Sequence, residues 1–114
     1  MEIGLDQREI QVWIMGLAEA RNELDDDQFE GRVGLSLDSE RELSRRLVAA
    51  RDGGTSEPIK LLLTEQELHA TYRALKVAME GLGKVDFETI VGQTWEFGQR
   101  SLARLRELVM SVDT

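Results

Sequence analysis

A chain of 114 residues is the size of one domain, and its 41% hydrophobic and 32% charged residues suit a folded globular protein. Fourteen bases against 22 acids give a net charge of −8, which opposes the counterion release that drives non-specific nucleic-acid binding. With no Cys, disulfides, thiolate catalysis and Cys-ligated zinc are excluded, and a single His (His69) excludes metal sites built on a His pair.

Taken in chain order, Glu2 to Leu5 reads as a short extended piece. Asp6 then stands at an N-cap with Glu9 three residues on, a capping box, while Leu5 and Ile10 have the spacing of a hydrophobic staple. Ile10, Trp13, Ile14, Leu17, Ala20 and Leu24 recur at helical spacing, predicting a long helix over about 7–24. Phe29-Glu30-Gly31-Arg32-Val33-Gly34 follows, one helical turn ending on a glycine suited to a left-handed stop. Ser36 offers a fresh N-cap, and a further helix is predicted over about 37–51 around Leu37, Leu43 and Leu47. Residues 51–58, which hold Gly53, Gly54 and the only Pro, read as an exposed linker.

The pattern then repeats. Ile59 to Leu63 is extended, and Leu63, Thr64, Glu67 and Leu68 reproduce the staple and capping box. A long helix is predicted over 65–82, then Phe87 to Gly92 as a second Phe-Glu-x-x-Val-Gly, then a helix over 95–111 capped by Thr94. At an offset of 58, eleven of the 45 positions in 5–49 are identical in 63–107, among them Glu9/Glu67, Phe29/Phe87, Gly34/Gly92 and Arg46/Arg104. Chance gives about three. The expected fold is therefore mainly α, a tandem duplication of a β-α-α unit (1–51 and 58–114, joined by 52–57). It is expected to close as a pseudo-twofold fused dimer, with a small antiparallel ribbon where the two extended pieces meet. The two units are expected to share one core, since about 50 residues bury too little surface alone.

Few residues invite a chemical role. No phosphate-binding loop, dinucleotide fingerprint or nucleophile elbow is present, and His69 lies off the apolar stripe. The expectation is a protein that is not an enzyme and holds no cofactor or metal. Asp25, Asp26 and Asp27 form the densest acidic cluster, read either as a cap for the next helix or as a docking patch for a basic partner. They fail the calcium-loop pattern, because Phe29 falls at the fifth position, where a ligand belongs. Trp13 and Met15 sit in Val12-Trp13-Ile14-Met15, wider than one core stripe needs, and are read either as filling between the copies or as a partner surface.

The first half, residues 1–57, holds seven Arg and fourteen acids, a net of −7; the second half nets −1. The reading that follows is a cytoplasmic, non-catalytic interaction module that binds another, basic protein, such as an inhibitor or an antitoxin- or immunity-like partner. The alternative is a helix-turn-helix regulator around Val33 to Leu47, which the acids Asp38, Glu40 and Glu42 at the start of its reading helix oppose. The longest run free of strongly polar residues, Val12 to Ala18, is too short to span a bilayer. A homo-oligomer is left open.

Overall fold

In the computed structural model, which describes residues 1–53 and 58–112, the chain folds as β1 (Glu2–Leu5), α1 (Gln7–Glu23), α2 (Asp26–Val33), α3 (Leu37–Gly53), β2 (Ile59–Leu62), α4 (Glu65–Val91) and α5 (Trp95–Val112). It is mainly helical, with one two-stranded antiparallel sheet. Asp6 and Thr64 cap α1 and α4 through the backbone N–H of Glu9 and Glu67, and Glu67 completes its box on Thr64. Ser36 and Thr94 cap α3 and α5 by accepting from the N–H of Ser39 and Phe97. Gly34 and Gly92 both stand in the left-handed region, at φ 90° and 78°, where a side chain would be strained.

Three boundaries differ from the sequence expectation. The helix after α1 begins at Asp26, because Asp25 and Gln28 form a capping box one turn ahead of Phe29. In the second half, helix continues past Leu82 to Val91, broken only at Gly83, whose φ of 73° and ψ of 175° are not helical. Arg51, Asp52 and Gly53, expected as the start of the linker, are the last turn of α3; residues 54–57 of that linker lie outside the described residues.

The ribbon pairs Glu2 with Leu62, Ile3 with Leu61, Gly4 with Lys60 and Leu5 with Ile59. Ile3, Leu5, Ile59 and Leu63 are buried, while Glu2, Lys60 and Leu62 face outward, so the ribbon lays one apolar face on the helices. The long helices α1 and α4 cross at small residues. A Cβ on Gly16 would stand 3.3 Å from the backbone of Leu75, so the bare glycine sets how closely the helices approach. Helix α3 packs on α1 and α5 on α4, and the buried side chains from Ile3 to Val109 form one cluster shared by both halves. The Cα radius of gyration is 13.1 Å, the size expected of a single packed domain.

Two ion pairs tie the halves together. Arg104 Nη1 lies 2.7 and 2.6 Å from the two carboxylate oxygens of Glu9, and its Nη2 donates to the Gly4 carbonyl at 2.8 Å. Arg46 likewise donates to Glu67 and to the Leu62 carbonyl. Both arginines thus brace the ribbon, Arg104 on β1 from α5 and Arg46 on β2 from α3, the helix that precedes that strand.

Candidate interaction surfaces

Trp13, one of the expected partner contacts, is inside the protein. It is 1% exposed, and its indole N–H donates to the Ser101 hydroxyl at 3.0 Å, joining α1 to α5. A buried indole needs such an acceptor, and Ser101, itself buried, supplies it. The first of the two readings of Trp13 therefore describes its position: it fills the contact between the halves and is not available at the surface. Met15 is half-buried against the same core. The widened apolar run of α1 reflects a helix packed on two sides, by α4 and by α3 with α5.

Asp25, Asp26 and Asp27 are exposed at the corner between α1 and α2. Asp25 has a structural task, accepting from the Gln28 N–H at 2.8 Å as the cap of α2. Asp26 and Asp27 fall in the first turn, where the helix dipole favours negative charge. Glu23 and Glu30 are exposed beside them in sequence. Among the described residues, Glu23, Asp26, Asp27 and Glu30 form no ion pair with any Lys or Arg. Trp13 and the aspartates do not form one site, since ten residues of helix, about 15 Å, lie between Trp13 and the end of α1.

The arginines of the first half are largely committed elsewhere. Arg21 Nε lies 3.2 Å from Oε2 of Glu40, a carboxylate with no exposed surface, and the Ser44 hydroxyl donates to its Oε1 at 2.6 Å. Among the described residues Oε2 itself accepts no hydrogen bond, and the Arg21 guanidinium is the cation that faces it. Arg41 and Arg45 sit beside Asp38 and Glu42 on the surface of α3, and Arg51 reaches Gln11 and Asp52. Arg8 donates to Gln93 and stacks 4.1 Å over the Phe97 ring.

A second feature was not visible in the sequence. Arg32 at the end of α2 and Arg73, Lys76, Val77 and Glu80 on α4 line one cleft of about 280 Å³. Arg73, Lys76, Val77 and Glu80 have the spacing of a single helix face, which is the only sequence signal; Arg32 arrives there through tertiary packing. His69 is half-buried. Among the described residues no group of three or more His, Asp or Glu side chains is placed to hold a metal ion, and no helix is long and apolar enough to cross a membrane.

No protein-family model, curated protein or solved structure matches this chain.

Proposed function

We propose that this protein is a non-catalytic, acidic protein-interaction module that acts in the cytoplasm on a basic partner, in the manner of an inhibitor or an antitoxin- or immunity-like protein. The observation that carries the reading is the acidic corner. Glu23, Asp26, Asp27 and Glu30 are exposed and lack cationic partners among the described residues, in a half of net charge −7. Such a surface speeds encounter with a basic protein and discriminates against acidic ones. The module is a duplicated unit folded back on itself as an internal dimer. Support comes from the offset of 58, which turns the pair Glu9–Arg104 into Glu67–Arg46 with the partners exchanged, and turns Gly4 into Leu62 at the carbonyls the two arginines brace.

The helix-turn-helix alternative has less in its favour. Arg46, on the helix that would read the groove, is held by Glu67 and the Leu62 carbonyl, and exposed Asp38 and Glu42 stand near the start of α3. Incubation with a random duplex pool at moderate salt, followed by gel shift, tests the choice. No retained duplex is expected; specific retention by the native protein, lost on Arg45→Glu, overturns the proposal.

A further inference from the structure

We propose that the cleft between the end of α2 and the middle of α4 is an anion site that takes a phosphate group, with Arg32, Arg73 and Lys76 as its ligands. Among the described residues, eight of the fourteen Lys and Arg side chains have a carboxylate within ion-pair distance, as an excess of acids leads one to expect. Arg32, Arg73 and Lys76 do not: among the described residues they make no ion pair and no hydrogen bond, although Glu80 lines the same cleft. Of the remaining cations, Arg8 is held by Gln93 and Phe97, and Arg100 and Arg106 stand in two other clefts. Three uncommitted cations thus converge on one opening in a protein of net charge −8.

The dipole of α2 accounts for a base at Arg32, in the last turn of that helix, but not for Arg73 or Lys76, which lie mid-helix on α4 and repel each other three residues apart. The turn after α2 makes room for Arg73. Gly34 is left-handed, its carbonyl is pinned by the Gln66 amide at 3.0 Å, and Arg73 Nη1 occupies the space beside it, 2.9 Å from where a Cβ would stand. A side chain at residue 34 would push the guanidinium away. The lining carries three positive charges and one negative, so a dianion neutralises it, and a planar guanidinium matches phosphate oxygens in pairs. Val77 offers an apolar edge to whatever bears the phosphate. A monocarboxylate leaves one positive charge uncompensated and binds less well.

The test is an amide-resolved NMR titration of the intact protein with inorganic phosphate, phenyl phosphate and acetate. It is run at mildly alkaline pH and fixed ionic strength, so that general screening does not change. Saturable shifts are expected at Arg32 to Gly34 and Arg73 to Val77 with both phosphates and not with acetate. Tighter binding of phenyl phosphate assigns the site to a phosphate carried on an organic body, and equal binding assigns it to the free ion. Arg73→Ala with Lys76→Ala, both surface positions, weakens either phosphate by about tenfold or more, while Arg106→Ala leaves it unchanged. Shifts that do not saturate, that acetate reproduces, or that survive the Arg73/Lys76 double substitution overturn the assignment.

Discussion

Arg104 grips both carboxylate oxygens of Glu9 across a separation of 95 residues, and the same guanidinium reaches the Gly4 carbonyl of β1. Arg46 pairs with one carboxylate oxygen of Glu67 and donates to the Leu62 carbonyl of β2. In each case a residue of the N-terminal capping region of a long helix is fixed to a helix from the other half, so neither half completes its own ribbon end. A double-mutant cycle on Glu9→Gln and Arg104→Gln should give a coupling of about 1 kcal/mol, modest because the arginine is partly solvated. The Glu67/Arg46 cycle should give a similar value by urea denaturation. A coupling near zero in both would mean the pairs do not hold the halves together.

Phe29 and Phe87 are fully buried, and Phe87 meets Trp95 edge to face at a centroid distance of 5.5 Å. Phe29→Ala and Phe87→Ala should each cost about 3–5 kcal/mol, a large share of the stability of one small domain. Chemical denaturation reads this directly. Losses under about 1 kcal/mol would place the rings outside the core.

Trp13→Phe removes the indole N–H and strands the buried Ser101 hydroxyl, at an expected cost of about 1–3 kcal/mol from the unmade hydrogen bond and lost volume. Adding Ser101→Ala should recover part of that loss, because no polar group then remains buried without a partner. Strict additivity in equilibrium unfolding would count against the bond.

Two helical glycines should respond oppositely to alanine. A Cβ at Gly98 would stand 2.5 Å from the Phe87 ring, so Gly98→Ala should destabilise by about 1–3 kcal/mol through overpacking. At Gly31, in α2, nothing lies within 4 Å, and Gly31→Ala should stabilise by about 0.5–1 kcal/mol through helix propensity. Thermal melts that move in the same direction for both would contradict the packing of α5 on Phe87.

Local signals were legible in the sequence because caps and left-handed glycines act over four or five residues. Asp6, Ser36, Thr64 and Thr94 cap where their side chains predict, and Gly34 and Gly92 stop their helices. The start of α2 falls at Asp26 and not near Phe29, because Asp25 and Gln28 close their capping box a turn before the Phe-Glu-x-x-Val-Gly pattern begins. Glu40 shows another limit. In the sequence it counts among the acids that would oppose a DNA groove, but it is buried on the core face with Leu43 and Leu47, and only the fold brings Arg21 and Ser44 to its carboxylate. Arg32 and Arg73 are 41 residues apart, and no periodicity joins them; the cleft they share exists only once α2 lies on α4.

The proposed role rests on the acidic corner, and comparative capture tests it most directly. The intact protein and an Asp26→Lys/Asp27→Lys variant, with Asp25 kept because it caps α2, are used to capture proteins from the source lysate at low and moderate salt. Captured proteins are quantified by mass spectrometry, and circular dichroism confirms that both baits are folded. A basic protein is expected to be retained by the native chain, released as salt rises, and depleted at least about tenfold on the charge-reversed bait. Equal recovery of the same proteins on both baits, or a retained partner that is itself acidic, would contradict it.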